Sequence, residues 1–588
     1  MRSLMLKKIK DKTMKNINKY LCLSLVCTLL ISCSEEFVTI EPEGLATSEV
    51  FYSTLDGIEQ GVTGTYASLN ACPANLHNMD MMYLVWGSIA SDEAEAGGEQ
   101  GGNDFIDIQD VDKGTTKTIE PKSLSDNFWG CTYKSILRSN IAISGIQSFK
   151  SNNADIDEAT KKTLAYREGE MIFINAFSHF KLMQVYGGIP IVDHELGSSE
   201  YAMSRNSIAE VLHYVQEQLI KAIDLLPLKS ENGISNKGRA SKGAAQALLA
   251  KAYLYEASYA KNYSGDDRFA GCTNTYDKAL TYAEAVINSN EYYLFGINGE
   301  TYDTYWSQNN SPIYSNGTPG YRYAFTVDAE DKLQSENVFE IESINDQLAY
   351  MISRGTYLNV YTAVRNVNSS TLGWGFNCPT DDMYNAYENG DLRREVTCGK
   401  TGDKIFVGVD PKGTDWAWGT MDCFASPTNM IGRKFEASPA QYWSIRQDGS
   451  GPTNFPYIRY ADVILMAAEA AVETGNSSKA LTYVNMIRKR ARNGASTGVP
   501  ADLTSVNLDN VINERHLELA LEGHRFFDLV RWKKQDILTD HPLQKYLGGV
   551  TQANPVLCQF ASPKNDFFPI PQTEIENTNG SLVQYPGW

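Results

Sequence analysis

The stretch "KGAAQALLAKAYLYEASYA", residues 242–260, decides the fold. It is dense in alanine, a strong helix former whose small side chain lets a neighbouring helix approach closely. The stretch therefore predicts a helix from about Lys242 to Ala260 that belongs to a set of closely packed helices.

Helices are predicted on both sides of this stretch. Ser207 and Glu210 have the spacing of a capping box, and apolar residues then recur every three or four positions as far as Ile223. Pro227 ends that helix. A further helix is predicted from about Tyr276 to Asn288, after the central one. Three consecutive helices with short connections indicate a helical scaffold.

A five-residue repeat points to the architecture of the scaffold. "KALTY" occupies residues 278–282 and returns at residues 479–483, where it follows "RYADVILMAAEAAVETGN" across a short turn. Two helix-turn-helix units with small residues at the crossing points resemble degenerate tetratricopeptide repeats. The pentapeptide match could arise by chance, but the pairing of the helices does not depend on it. The predicted fold class is mainly α, with paired helices stacked in a short solenoid.

Two segments lack helical periodicity. The longer one, from about Gly296 to Pro452, is rich in Gly, Asn, Ser and Thr and carries many aromatic residues. The shorter one, from about Asn78 to Lys122, contains Trp86 and the acidic, glycine-rich run "SDEAEAGGEQGGNDFIDIQDVDKG". Irregular blocks of this length in a helical protein are more often functional than idle. We expect the two blocks to meet and to form the binding surface.

The N-terminus has the pattern of an export signal. Basic residues precede a short apolar stretch from Tyr20 to Ile31, which is too short to span a bilayer. Leu30-Ile31-Ser32-Cys33 resembles a bacterial lipobox, so residues 1–32 are predicted to be removed and Cys33 to carry a lipid anchor. An ordinary secretory signal with an incidental cysteine is the alternative. The acidic segment Ser34-Glu35-Glu36 resembles the signal that sends lipoproteins of the Bacteroidota to the outer face of the outer membrane.

Net charge and cysteine spacing limit the binding partners and the metal or disulfide sites that the sequence predicts. The signal carries a net charge of +6, so its removal takes the formal charge from −19 to about −25. Such a surface repels phosphate backbones, and nucleic acid is therefore an unexpected partner. Seven cysteines remain after Cys33 and include no C-x-x-C pair, which indicates neither a disulfide framework nor a zinc site.

Established catalytic motifs are absent from the sequence, which contains no H-E-x-x-H, G-x-S-x-G, Walker or dinucleotide-binding pattern. Asp107, Asp110 and Asp112 resemble a calcium loop only loosely, because the glycine and closing glutamate of an EF-hand are missing. No cofactor is predicted, with calcium at these aspartates as the alternative.

The stretch "INERHLELALEGHRFFDLVRW", residues 512–532, is dense in opposite charges. Glu514, Glu518 and Glu522 recur every four residues, which predicts that they share one helical face, and Arg515, Arg525 and Arg531 lie beside them. This pattern favours a structural ion-pair network over a catalytic acid and base.

The aromatic residues of the irregular blocks are the best candidates for ligand contact. Trp and Tyr offer flat apolar faces to the C–H faces of sugar rings, while Asn, Asp and Gln can bond the hydroxyls. Within "DTYWSQNNSPIYSNGTPGY", such rings lie among polar, flexible residues. The predicted ligand-binding residues are Tyr305, Trp306, Asn309, Tyr314, Trp86 and Asp92.

Seven blocks of the sequence, in order, resemble the SusD/RagB family of outer-membrane lipoproteins. They begin with "EPEGLATSEVFYSTLDGIEQGVTGTYASL" and "NFWGCTYKSILRSNIAISGI" and continue through "GEMIFINAFSHFKLMQVYGGIPIV" and "GRASKGAAQALLAKAYLYEA". The next two are "RYADVILMAAEAAVETGN" and "INERHLELALEGHRFFDLVRW". The closing block is "FFPIPQTEIENTNGSLVQYPGW". Ile172 and Asn175 depart from the pattern, since the family usually has basic residues there.

The resemblance implies a tetratricopeptide-like scaffold of four units, with a variable irregular region packed on it. It divides the chain into a signal at 1–32, an N-terminal region at 33–230 and a C-terminal region at 231–588, which together form one globular unit. It also implies a protein that is not an enzyme, is anchored in the outer membrane facing outward, binds a glycan and delivers it to a SusC-type TonB-dependent transporter. The alternatives are a binding subunit for peptide uptake of the RagB type and a surface glycosidase.

Overall fold

The computed structural model describes residues 47–70, 79–98, 104–117, 124–233, 236–300, 319–325, 336–343, 355–365, 373–409, 416–436, 451–548 and 550–588. The predicted signal and Cys33 lie outside these residues, so the lipid anchor stays a prediction. The predicted division at residue 230 falls in a short helix, Lys229–Asn232, and also stays a prediction.

Eight helices form the scaffold, and each one packs against the next along the chain. They are α1 Leu55–Ser68, α2 Leu124–Asn152, α3 Glu158–Tyr186, α4 Ile208–Leu225, α5 Lys242–Asn262, α6 Tyr276–Ile287, α7 Tyr460–Glu473 and α8 Ser477–Ala491. This order of contacts gives four stacked helix pairs, which confirms the predicted solenoid of the tetratricopeptide type.

Local signals in the sequence account for the ends of these helices. Ser207 and Glu210 form the predicted capping box at the start of α4, and Ser241 caps α5 by accepting a hydrogen bond from the backbone N–H of Ala244. Alanines of α5 are fully buried between α4 and α6. The two "KALTY" sequences lie in α6 and α8, where Lys479 pairs with Glu284 at 2.7 Å.

The rest of the chain is built from short elements. Two further helices follow the scaffold, α9 Leu508–Leu519 and α10 Arg525–Arg531. The remaining α-helices of the described residues are Ser48–Phe51, Met79–Leu84, Ile106–Asp112, Lys229–Asn232, Leu358–Thr362, Asp381–Ala386, Leu392–Thr397 and Gln572–Asn577. A π-helical turn, Val85–Ile89, continues the helix that ends at Leu84.

The strands of the described residues form antiparallel pairs and no larger sheet. They are β1 Ala94–Gly97, β2 Asn337–Ile341, β3 Phe376–Pro379, β4 Cys398–Lys400, β5 Lys404–Val409, β6 Trp416–Thr420, β7 Met430–Gly432, β8 Phe455–Arg459, β9 Thr539–Leu543, β10 Tyr546–Leu547, β11 Val550–Thr551 and β12 Val556–Gln559. The pairs are β1 with β3, β2 with β8, β4 with β7, β5 with β6, β9 with β12 and β10 with β11.

A buried ion-pair network joins the irregular region to the scaffold, as the sequence predicts for residues 512–532. Glu518 contacts Arg490 of α8, Arg459 of β8 and Arg393 of the irregular region. Glu522 accepts from Arg459 at 2.7 Å and from Lys434 at 2.6 Å. Burial alone would raise the pKa of Glu518, but the surrounding guanidinium groups outweigh it and lower the pKa to about 2.

One detail of that prediction is wrong. Helix α9 ends at Leu519, so Glu522 lies in the following turn and not on the same helical face as Glu514 and Glu518. Within the stretch, Arg515 and Arg531 both pair with Asp528. The arginines also pair outside it: Arg515 with Asp462, Arg525 with Asp92, and Arg531 with Glu469. The network therefore combines local pairs with partners distant in sequence.

Among the described cysteines, one forms a disulfide bond and the others are free thiols. Cys131 is disulfide-bonded, whereas Cys272, Cys378, Cys398, Cys423 and Cys558 are free thiols. A bond at Cys131 suits an oxidising compartment. Among the helices that the structure describes, none is both long enough and apolar enough to cross a membrane.

Candidate ligand-binding site

The two irregular blocks meet, as expected from the sequence. Strand β1 of the shorter block pairs antiparallel with β3 of the longer block, with Glu95 opposite Cys378. The backbone N–H of Gly98 extends this contact to the carbonyl oxygen of Gly375 at 3.0 Å. The Thr380 side chain donates to the carbonyl oxygen of Asp92 at 2.8 Å. These bonds hold the loops of both blocks at one surface.

Five aromatic rings cluster at this contact, and we call them the aromatic junction: Phe105, Tyr357, Tyr361, Trp374 and Phe376. The Trp374 ring stacks nearly parallel to Tyr357, with centroids 6.0 Å apart, and meets Tyr361 edge-on at 4.9 Å. The ring centroids of Phe105 and Trp374 lie 6.0 Å apart. Tyr361 and Phe376 are buried, whereas Phe105 and Trp374 are half-buried. The junction thus presents two fixed rings to solvent.

An ion pair fastens the rim of the aromatic junction. Asp104, beside Phe105, pairs with Arg365 at 2.5 Å, and Arg365 also donates to the carbonyl oxygen of Trp374 at 3.3 Å. The Asp104 and Arg365 side chains keep 35% and 23% of their surfaces exposed. One partner comes from each irregular block, so the pair orients both half-buried rings.

A shallow cleft lies between helix Ile106–Asp112, which Phe105 of the junction precedes, and the start of α2. Asp107, Asp110, Thr116 and Lys117 contribute polar groups to its lining. Lys117 pairs with Asp110 at 3.3 Å. Burial, together with the nearby charges of Asp80 and Asp107, raises the pKa of the Tyr361 hydroxyl well above its usual range, so this group stays protonated.

A pair of buried carboxyl groups lies beneath the junction. Glu95 accepts from the backbone N–H of Gln544 at 2.8 Å, and Asp112 accepts from that of Ala96 at 2.9 Å. The second oxygen of Asp112 is buried without a hydrogen-bond partner. Burial raises the pKa of Glu95 to about 8, with Asp112 adding to the rise, and burial raises that of Asp112 to about 7.

These carboxyl groups do not have the arrangement of a glycosidase pair. Such enzymes need two carboxyl groups that face a cleft from opposite sides of the bound sugar. Glu95 and Asp112 are 2% and 7% exposed and bond to the backbone. In the cleft itself, Asp107 accepts from the backbone N–H of Leu124 at 3.0 Å, and Asp110 is paired with Lys117.

Two of the predicted ligand-binding residues, Trp86 and Asp92, lie among the residues that the structure describes. Trp86 is fully buried and packs against Phe568 with ring centroids 4.3 Å apart. It also belongs to the lining of the cleft beside helix Ile106–Asp112, so ligand contact by Trp86 stays a prediction. Asp92 holds Arg525 through both carboxylate oxygens at 2.8 Å. Burial would raise the pKa of Asp92, but the Arg525 contact outweighs it and lowers the pKa to about 2.

Tyr305, Trp306, Asn309 and Tyr314 lie outside the described residues, so their roles stay predictions. The same holds for ligand contact by Asp92. Sequence reasoning did not single out Phe105, Arg365 or Trp374. The available signal was the position of each in an irregular block, with Phe105 after an aspartate and Trp374 between two glycines, and this signal does not show which rings remain half-exposed.

The predicted calcium alternative gains no support from the aspartates at residues 107–112. Asp107 and Asp112 accept backbone N–H groups, whereas Asp110 pairs with a lysine. Across the described ranges, His, Cys, Asp and Glu side chains do not gather in threes in a way that could hold a metal ion. Calcium stays an untested alternative.

The structure defines a class: a helical-repeat scaffold that carries an irregular region with half-buried aromatic rings at its surface. Comparison with known families agrees. The sequence matches the model of the SusD family over residues 335–588. It also matches a SusD-like family described as "Starch-binding associating with outer membrane" over residues 92–254. The chain therefore belongs to the SusD family of proteins associated with the outer membrane.

Individual relatives are distant but extend over the whole fold. SusD-like protein P2 of Formosa agariphila is 23% identical, and the match covers 95% of this chain and 97% of that protein. A solved structure of a laminarin binding SusD-like protein has a TM-score of 0.63 at 23% identity, covering 91% of this chain and 99% of the other.

Surface glycan-binding protein A from Bacteroides thetaiotaomicron, solved in complex with laminarihexaose, has a TM-score of 0.65 at 21% identity and covers 90% of this chain and 99% of that chain. At these identities the structural matches establish the fold, which is the tetratricopeptide-like fold predicted from the sequence.

Proposed function

We propose that the protein is a non-catalytic, surface-exposed glycan receptor whose ligand stacks on Trp374 and Phe105 of the aromatic junction. One observation carries the proposal: two half-buried rings are held rigidly at the surface where both irregular blocks meet. Preorganised aromatic faces suit the apolar faces of sugar rings, and the surrounding Asp, Thr and Lys groups can bond hydroxyls.

The relatives support a glycan as the ligand. The solved structures include SusD-like proteins described as binding laminarin or laminarihexaose. Catalysis has no support from the junction, whose neighbouring carboxylates are buried or engaged in ion pairs and backbone hydrogen bonds. We therefore propose binding without turnover.

We further propose that the bound glycan passes to a SusC-type TonB-dependent transporter, and that Cys33 carries the lipid that holds the receptor at the outer face of the outer membrane. Membership of the SusD family and the lipobox-like sequence support this step. A receptor held at the transporter keeps the captured glycan near the pore, since effective concentration falls with distance from a tether.

The test is isothermal titration of the mature protein lacking Cys33 against laminarin, amylopectin, galactomannan and arabinoxylan. For the glycan that binds, Trp374→Ala should weaken affinity at least about tenfold, because truncating a central aromatic contact usually costs 2 kcal/mol or more. Trp374→Phe should retain part of the affinity. Tyr201→Ala, which removes a 62% exposed ring from a separate loop, is the matched control and should bind normally.

Trp306→Ala belongs in the same series, because Trp306 is predicted from the sequence to contact the ligand. Circular dichroism of each variant checks the fold. Binding that is indifferent to Trp374 would contradict the proposed location, and hydrolysis of a bound glycan would contradict the absence of catalysis.

A further inference from the structure

The rim of the aromatic junction has a charge arrangement that bears on the kind of glycan it accepts. Arg365 lies beside Trp374, where a guanidinium group could bind the carboxylate or sulfate of an anionic sugar. Its Nη1 instead contacts Asp104 at 2.5 Å. Lys117, which lines the adjacent cleft, is likewise paired with an aspartate, Asp110.

The net charge of the whole chain also disfavours anionic glycans. A formal charge of −19 gives a surface that repels polyanions at long range, before any local contact forms. An anionic glycan would thus have to overcome the overall field and then compete with Asp104 for Arg365. That competition would leave Asp104 partly buried without its cation, which is an unfavourable exchange.

We propose that Asp104 is a specificity-determining residue that restricts the site to neutral glycans by neutralising Arg365. This inference rests on the proposed function, since it concerns the ligand of the same surface. The ion pair has a second effect, because it joins the two irregular blocks next to Phe105 and Trp374. A neutral sugar can stack on these rings without disturbing the pair.

The experiment compares one glycan in two charge states. The best-binding glycan among laminarin, amylopectin and galactomannan, whose hexoses carry primary hydroxyl groups, is oxidised selectively at those groups, which converts the oxidised sugars to uronates and keeps the linkages. Titration with both forms is done for the wild type, for Asp104→Asn and for Asp277→Asn. Asp277 is exposed on α6 of the scaffold, so its variant makes the same change in net charge away from the site.

We expect the wild type to bind the oxidised form at least about tenfold more weakly than the neutral form. Asp104→Asn should regain about three- to tenfold of that loss, the range for a partly exposed charge contact. The regained binding should weaken as salt rises, because it depends on an accessible charge. Asp277→Asn should behave like the wild type.

Each outcome has a defined meaning. Equal binding of both forms by the wild type would overturn the proposal, as would an Asp104→Asn variant that gains nothing or gains no more than Asp277→Asn. If Asp104→Asn loses the neutral glycan as well, Asp104→Glu, which keeps the charge, should restore neutral binding and selectivity together. Failure of every neutral and oxidised glycan to bind would instead contradict the proposed function.

Discussion

Glu95 and Asp112 make the stability of the protein depend on pH. Their pKa values of about 8 and about 7 lie above the ordinary values of 4.5 and 3.8, so the folded state holds protons that the unfolded state releases. Stability from this pair is therefore fully present below about pH 4 and is lost as pH rises through 7 to 8. The charge of Asp381 adds to the rise in the pKa of Glu95, and the charge of Lys113 partly opposes the rise in the pKa of Asp112.

Asp112→Asn tests this dependence. The amide can still accept from the N–H of Ala96, and its NH₂ group fills the place of the oxygen that has no partner. Between pH 5 and pH 8, the free energy of unfolding in urea should fall less for the variant than for the wild type, by roughly 2–3 kcal/mol over this range, because the pKa of Asp112 is about 7. Asp110→Asn, on the same helix, should leave the slope unchanged. A wild type whose stability does not change relative to Asp112→Asn over this range would contradict the prediction.

The candidate ligand-contacting residues were the part least accessible from the sequence. Trp86 and Trp374 both lie in blocks that the sequence predicts to be irregular, yet one is fully buried and the other is half-buried. Both rings pack against residues far along the chain: Phe568 for Trp86, and Phe105 for Trp374. Composition cannot distinguish these environments, because Trp86 lies in a single π-helical turn and Trp374 in a loop, and neither is long enough for a periodicity that marks an inner face.

At the scale of elements, the helices could be predicted because their signals are local. The capping box at Ser207 and the alanines of α5 act within one or two turns of helix, and both appear in the structure as expected. Glu522 shows the limit of this reasoning. Its four-residue spacing continues the helical pattern, but α9 ends at Leu519, and Glu522 instead pairs with Arg459 and Lys434 from other segments.

The ion-pair network should be among the most sensitive parts of the structure to substitution. Glu518→Gln removes the negative charge that faces Arg490, Arg459 and Arg393, all of them buried. Breaking one side of a buried network leaves uncompensated charge, and we expect a loss of about 3–5 kcal/mol in the free energy of unfolding. Urea denaturation followed by circular dichroism measures it.

A matched control distinguishes the network from charge loss in general. Glu158 pairs with Lys161 on the surface, and its side chain is 89% exposed. Glu158→Gln removes the same charge from solvent, where ion pairs contribute little, and its unfolding midpoint should equal that of the wild type. Equal midpoints for Glu518→Gln and Glu158→Gln would show that the buried network contributes no more than a surface pair.

At the scale of the whole molecule, the network should make scaffold and irregular region unfold together. Arg393 and Lys434 of the irregular region share Glu518 and Glu522 with Arg459 and Arg490. If the irregular region unfolded alone, these carboxylates would lose part of their compensation while still buried among the remaining helices. Partial unfolding is common in chains longer than about 150 residues. Here the cost of the uncompensated carboxylates opposes it.

We therefore expect one urea transition, with the same midpoint for helix content by circular dichroism and for tryptophan fluorescence, which includes Trp374 of the aromatic junction. In Glu518→Gln the two midpoints should separate, with fluorescence changing at lower urea, because the irregular region loses its attachment before the helices unfold. Separate midpoints in the wild type would contradict this prediction. They would mean that the irregular region folds on a scaffold that is stable without it, and that the aromatic junction owes its rigidity to local contacts between the two irregular blocks, namely the β1–β3 pairing and the Asp104–Arg365 ion pair.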